Sequence, residues 1–370
     1  ITKTKRRRPH HKPWISPAIK KSISKRNALY KKYHTLPTLS NELRYRNYKK
    51  SLSVIIKAAK KVYYNAILHE HKSNIKETWR IMKEIIGAPN KPSVSSSFIT
   101  DDGTELTDSM DIANGLNNYF VSIGQELASN IPSNDGNHLN YLRGDYTESI
   151  FFAPVVENEI MQCISKLKKG SAGHDQIKPS IIKSCGEFIA SPLTYIFNLS
   201  INEGHVPSLL KYAYITPVFK SGEANKFNNY RPISVLPCFS KILERIIFNR
   251  LYTYLENKNI LSDCQFGFRK SLNTEMALIT AIDFITRALD SKEHVLGLFL
   301  DLRKAFDTVD TTILLSKLHY YGIRGTALAW FNSYLSDRTQ SVKFNNVISQ
   351  QSSINMGVPQ GSILGPLLFK

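Results

Sequence analysis

Apolar positions recur at three- and four-residue spacing through the first quarter of the chain, as in amphipathic helices. The pattern predicts one helix from Ser16 to about Tyr33 and a second from Asn41 to about His71. In the second, Leu43, Leu52, Ile55, Ile56, Ala59, Val62, Tyr63, Ala66 and Ile67 form the apolar stripe, and Lys and Arg fill the other faces. Asn74 can cap a third helix that runs through Ile86, with Gly87 beyond its end. Residues 90–97 read as a linker. Asp101-Asp102-Gly103 between Phe98-Ile99 and Leu106 predicts a small hairpin, and a helix over 108–128 follows it. Residues 130–150, polar and rich in Asn and Gly, form a second linker.

After residue 151 the texture changes. Helices are predicted at about 155–168, 187–203, 239–257, 273–290, 311–321 and 325–335, and strands at 212–219, 295–300, 339–344 and 350–356. Strand and helix do not alternate regularly, so the fold class is α+β, not a doubly wound sheet.

Charge changes the picture most. The net +19 sits entirely in residues 1–86, which hold 23 Lys+Arg against 4 Asp+Glu; residues 87–370 hold 26 against 26. A concentrated basic segment suits a polyphosphate partner; a solvated basic tail is the other reading. Residues 1–12 lack any apolar period and read as a flexible arm, with Lys5-Arg6-Arg7-Arg8 as a weak nuclear-import-like cluster. Tyr30, Tyr33, Tyr45 and Tyr48 lie among the charges, where they can stack on bases or pack at a core rim. No apolar run reaches the ~20 residues of a membrane helix. Cys163, Cys185, Cys238 and Cys264 are scattered, which argues against zinc and disulfides and for buried reduced thiols. The chain opens at Ile1, with its first Met at Met82, and closes at Lys370 after an apolar run, so it reads as an internal fragment.

Five segments are candidates for the chemistry. The run Val295-Leu296-Gly297-Leu298-Phe299-Leu300 predicts a buried strand that delivers Asp301 at its C-terminal end. A carboxylate there can hold a divalent metal or cap the next turn, and spacing leaves both open. Asp307 and Asp310 are weaker candidates, and Asp310 reads well as a helix N-cap. The second segment, Met356-Gly357-Val358-Pro359-Gln360-Gly361-Ser362, predicts a tight turn whose glycines allow close backbone approach. Third, Lys220 and Arg231 flank a turn after a strand, a placement suited to a triphosphate or simply to a solvated surface. Gln265-Phe266-Gly267-Phe268-Arg269 is a further basic segment. Lys168-Lys169-Gly170-Ser171-Ala172-Gly173-His174-Asp175 is Gly-rich and basic but lacks the Gly-Lys-Ser/Thr ending of a P-loop.

In this order and spacing the segments resemble the reverse transcriptases of non-LTR retrotransposons, particularly the jockey-like group. The motifs are the Lys-rich loop with Asp175, Arg231-Pro232-Ile233-Ser234, Gln265 to Arg269, Asp301-Leu302-Arg303-Lys304-Ala305-Phe306-Asp307, and Gly357 through Phe369. The resemblance covers 151–370 closely. Residues 13–130 are similar more loosely to the basic segment joining such enzymes' endonuclease to their polymerase.

The resemblance implies a right-hand polymerase that copies element RNA into DNA from a nicked DNA primer, with template RNA, primer or target DNA and deoxynucleoside triphosphates as partners, no membrane, and two Mg²⁺ ions in the complete enzyme. The division it implies is a flexible arm (1–12), a basic helical nucleic-acid-binding segment (13–89), a connector (90–150), fingers (151–290) and a partial palm (291–370), with the thumb absent. Asp301 matches the first metal-binding aspartate, and Leu302 the residue whose carbonyl helps hold the metal. Lys220 and Arg231 match the triphosphate contacts, Phe306 the residue under the incoming sugar, and Gln360 and Gly361 the turn against the nascent base pair. Gln265, Arg269, Lys168, Lys169, Gly357 and Pro359 match positions near template or nucleic acid. Phe306 favours deoxynucleotides and argues against an RNA polymerase. His174 and Gln176 depart from the usual Pro and Gly, which puts that loop's template contact in doubt, and Lys370 stands where an apolar residue is usual. The family's x-x-Asp-Asp strand does not occur within these residues. The expectation is therefore a fragment that does not polymerise alone, with a non-catalytic RNA- or DNA-binding relic as the alternative. The family implies the nucleus, or a cytoplasmic ribonucleoprotein.

Overall fold

The computed structural model describes residues 12–72, 74–87, 95, 97–100, 102–131 and 138–370. The basic arm and import-like cluster, most of the first linker, Asp101 and part of the second linker lie outside these. The chain divides into two compact units, 1–92 and 93–370.

The first unit is three helices: α1 (Pro17–Thr35), α2 (Leu39–Glu70) and α3 (Ile75–Ile86). Each starts where a polar side chain takes an orphan backbone N–H. Ser16 accepts from Ile19, Thr38 from Asn41 and Asn74 from Glu77, and Gly87 closes α3. Helices α1 and α2 form an antiparallel hairpin. Tyr30 and Tyr33 meet Tyr45 near the turn, and Trp14 meets Tyr63 and Tyr64 at the far end. Three of the tyrosines among the charges thus pack on one another. Of the predicted stripe only Leu52 is buried on α2, with Tyr64 beside the stripe also buried, while Leu43, Ile55 and Val62 are exposed. A 19-residue helix cannot cover a face of a 32-residue one along its length.

The second unit is mixed helix and sheet. A small hairpin, β1 (Phe98–Ile99) with β2 (Glu105–Leu106), leads into α4 (Ser109–Ser129), capped by Asp108. Next come α5 (Glu157–Ser165), α6 (Pro179–Ser184), α7 (Gly186–Glu203), β3 (Tyr212–Phe219), β4 (Tyr230–Val235), α8 (Cys238–Asn257) and α9 (Thr274–Asp290). Then follow α10 (Thr311–Tyr320), α11 (Gly325–Leu335), β5 (Arg338–Phe344), β6 (Val347–Ile348), β7 (Ser352–Ile354) and the short α12 (Gly365–Leu368). The main sheet runs β4-β3-β5-β6, with β7 also on β5; β3 and β5 are parallel and the other pairs antiparallel.

Two cores support it. Helices α5, α7, α8 and α11 bury Phe197, Ile242, Ile246, Trp330 and Phe331, and Leu364 and Leu367 join them. Helix α4 packs on the sheet through Ile112, Leu116 and Phe120 against Ile215, Tyr230, Val342 and Phe344. The buried Asn117 pins this layer: its amide donates to the Gln350 carbonyl and the Ser352 hydroxyl (both 2.9 Å) and accepts from Gln340 (3.0 Å). Among the described residues no helix is long and apolar enough to cross a membrane.

Two expectations are corrected. The run 295–300 is no strand. It pairs with no described strand, and Leu296, Phe299 and Leu300 are 96%, 96% and 83% exposed. An apolar run suits a central strand only when neighbours supply ladder partners on both sides, and none of the described strands does. The cysteines also split: Cys163 and Cys238 are buried free thiols, but Cys185 and Cys264 are exposed.

One close approach ties α4 to the segment after Asp301. A Cβ built on Gly124 falls 2.2 Å from the Asp307 carbonyl oxygen. Gly→Ala inside a helix ordinarily stabilises by about 1 kcal/mol. Here Gly124→Ala is expected to destabilise by on the order of 1–3 kcal/mol, as overpacking does. Urea unfolding checks this, and a rise in the midpoint contradicts it.

Candidate nucleotide-binding site

A cavity of about 700 Å³ opens where four parts of the second unit meet, one of them contributing Phe268 alone. The β3–β4 hairpin brings Lys220 and Arg231. The segment after the exposed run brings Asp301, Leu302, Lys304 and Phe306. The loop 357–366 brings Gln360, Gly361 and Pro366. Register explains the hairpin's part: Phe219 pairs with Tyr230 and Val218 with Arg231, so the turn between them carries both cations to one edge. The Lys220 N–H donates to the Asn229 carbonyl (2.8 Å) and closes that turn.

Backbone bonds join the second and third parts. Gly357 N–H donates to the Val309 carbonyl and Val358 N–H to the Phe306 carbonyl, both 2.8 Å. Gly357 has φ +89°, and a Cβ there would come within 2.9 Å of the Phe306 and Asp307 backbone, so a side chain would push the strands of this joint apart. Ser234 N–H donates to the Gln360 carbonyl (2.7 Å) and ties the loop to β4. The Phe306 ring is stacked on Phe369 (5.0 Å) and edge-on to Phe268 (6.1 Å), which holds it as a floor.

The predicted residues distribute unevenly. Lys220, Arg231, Asp301, Leu302, Phe306, Gln360 and Gly361 share the cavity. Gly357 and Pro359 lie in the loop that forms one side, Gly357 buried in its joint. Lys168 and Lys169 are exposed and line no part of it. Gln265 lines a neighbouring, largely apolar cavity of about 950 Å³. Arg269 is held by Glu256 in a bidentate pair (3.2 and 2.8 Å) and by the Ser262 carbonyl (2.8 Å), so its charge is already matched. Asp301 is exposed, and Asp310 caps α10 as expected, accepting from Thr312 and Ile313.

Sequence reasoning missed Lys304 and underrated Asp307. Burial pushes the Lys304 ammonium down, and the charges of Lys220, Arg303 and Arg231 add to this against Asp307. Burial pushes the Asp307 carboxyl up, partly offset by hydrogen bonds from Gln360 and by Lys304. Of the charged residues that line the cavity four are cations (Lys220, Arg231, Arg303 and Lys304) and one is a carboxylate (Asp301), which favours an anion. Among the described residues no three His, Cys, Asp or Glu lie together.

Residues 220–370 match the family model described as reverse transcriptase (RNA-dependent DNA polymerase). They form a reverse transcriptase domain. The chain is 35% identical over 219 residues to the probable RNA-directed DNA polymerase from transposon X-element of Drosophila melanogaster, covering 57% of this chain and 23% of that protein. It is 34% identical over 231 residues to the RNA-directed DNA polymerase from mobile element jockey of the same species, covering 62% and 25%. A putative 115 kDa protein in the type-1 retrotransposable element R1DM is 31% identical over 216 residues, 57% of this chain and 20% of its own length. The domain is thus homologous to the RNA-directed DNA polymerases of non-LTR retrotransposons, a nucleotidyltransferase family, and the chain spans about a quarter of those relatives' length.

Beneath the site the reverse transcriptase domain buries a carboxylate that no motif announced. Glu244 on α8 accepts from the Tyr334 hydroxyl (2.8 Å) and from Ile363 N–H (2.7 Å), which anchors the far end of the loop 357–366. Burial raises its carboxyl, offset by those two donors and by the Arg338 charge. Because the folded value lies above the unfolded one, its stabilising contribution is full below the ordinary 4.5 and is lost as pH rises through the raised value. The native chain is therefore expected to lose stability relative to Glu244→Gln as pH rises above the ordinary 4.5, read from urea midpoints. A flat difference, or one that favours the native chain at higher pH, contradicts this.

Proposed function

We propose that this chain is the nucleotide-gripping part of an RNA-directed DNA polymerase that copies a retrotransposon RNA into DNA. The observation that carries this reading is the convergence of Lys220, Arg231, Phe306, Gln360 and Gly361 on one cavity from three separate stretches. Two cations at its mouth suit a triphosphate, Arg231 through its planar fork and Lys220 as a point charge. On this reading the Phe306 ring, stacked on Phe369, lies under the incoming sugar, where it would crowd a 2′-hydroxyl and favour deoxynucleotides. Gln360 and Gly361 lie against the new base pair.

On this reading residues 151–290 are fingers and 291–370 part of a palm, while residues 90–150 connect them to the basic segment 13–89. Template RNA, primer or target DNA and deoxynucleoside triphosphates are the partners, and the site of action is the nucleus. The family's chemistry uses divalent metal, here Mg²⁺, toward which Asp301 and the Leu302 carbonyl would turn. Asp301 alone does not complete such a centre. Positioning and electrostatics supply most of the rate in phosphoryl transfer, and those are what these residues offer.

The 370-residue chain is expected to bind dGTP without extending a primer. Lys220→Ala or Arg231→Ala should each weaken binding about tenfold, as the loss of a charge-assisted contact does. Phe306→Ala should narrow the preference for dGTP over GTP. Titration calorimetry reads both, and affinity unchanged in the Lys220 and Arg231 variants overturns the assignment.

A second reading rests on the first unit, where Arg46, Lys49, Lys50 and Lys57 line one shallow groove on α2. It makes that helix a phosphate-backbone contact. Replacing Lys49, Lys50 and Lys57 with Gln should make the dependence of log affinity on log salt shallower by up to about 3 for a duplex probe. An unchanged slope removes α2 from the interface.

A further inference from the structure

Asp307 has no assigned role beyond its place in the motif, and its surroundings give it one. Its backbone is fixed on two sides, by α4 at Gly124 and by the loop at Gly357. Its carboxylate faces Gln360, whose Nε2 donates to Oδ1 at 2.7 Å and to Oδ2 at 2.8 Å. Both carboxylate oxygens therefore face the Gln360 amide.

The bond also decides which way round the Gln360 amide lies. An ionised carboxylate only accepts hydrogen bonds. The NH₂ end must then face Asp307, and the Oε1 end must face away. Among the described residues no donor reaches Oε1. Gln360 lines the cavity, and its own backbone is held by Ser234. A glutamine free to rotate would offer donor and acceptor indifferently. This one is locked.

We propose that Asp307 is a positioning residue that orients the Gln360 side chain so that its carbonyl oxygen is offered to a hydroxyl or amino group of the bound nucleotide. The idea rests on the nucleotide reading of the cavity, but the Asp307–Gln360 bond can be tested without it.

Two measurements on the full chain separate the claims. The first is solvent exchange of the Gln360 side-chain amide hydrogens by ¹⁵N NMR, with the signal assigned by its loss in Gln360→Leu. Slow exchange is expected in the native chain and fast exchange in Asp307→Leu. Asp307→Asn, of equal size, guards against misfolding; it keeps one acceptor and should lie between. The second is a cycle of dGTP affinities for Asp307→Leu, Gln360→Leu and the double variant. Each single change should weaken binding about fivefold, roughly the worth of one hydrogen bond, and the double change no further. Fast exchange in the native chain, or additive losses in the cycle, overturns the role of Asp307 while leaving the cavity's function standing. Slow exchange with no dGTP binding by the native chain rejects the nucleotide reading and the acceptor role with it.

Discussion

The second unit depends on one close backbone approach. The segment 306–309 lies against Gly357 and Val358 with two main-chain hydrogen bonds of 2.8 Å between them. It is backed by α4 where Gly124 has no side chain. Much of what lines the cavity is tied to this joint. Phe306 precedes it, Gln360 follows it, and the Ser234 N–H to Gln360 carbonyl bond carries the constraint across to the hairpin that bears Arg231. Two small residues, far apart in sequence, let three chain segments meet closely enough to bring cations, an aromatic floor and an amide into one cavity.

Local structure was readable where a local cause exists. Asn74, Asp108, Asn273 and Asp310 begin helices because each accepts a backbone N–H two or three residues on. The predicted strand 212–219 matches β3 in extent. The run 295–300 shows the limit. Its apolar character speaks of burial between partners, but a sequence does not say which strands are at hand to pair with it. Asp301 therefore stands beyond an exposed irregular segment and not on the edge of a sheet.

The site was legible in the same measure. The cations, Phe306 and the turn could be named because motif order placed them together. Glu244 and the Asp307–Gln360 pair could not. Their partners lie 119 and 53 residues away, and a buried carboxylate on a helix looks like any surface glutamate until the chain folds over it. Arg269 errs in the other direction: a basic residue in a basic motif proves to be spent on Glu256.

The central claim is that the cavity between the β3–β4 hairpin, Phe306 and the loop 357–366 takes a deoxynucleoside triphosphate. Photo-crosslinking of the chain with 8-azido-dATP, followed by mapping of the labelled peptides, tests it most directly. The account expects label on peptides containing Lys220 to Ile233, Phe306 or Gln360, competed away by unlabelled dATP. Competable label confined to α1–α3, or label that dATP does not displace, contradicts it.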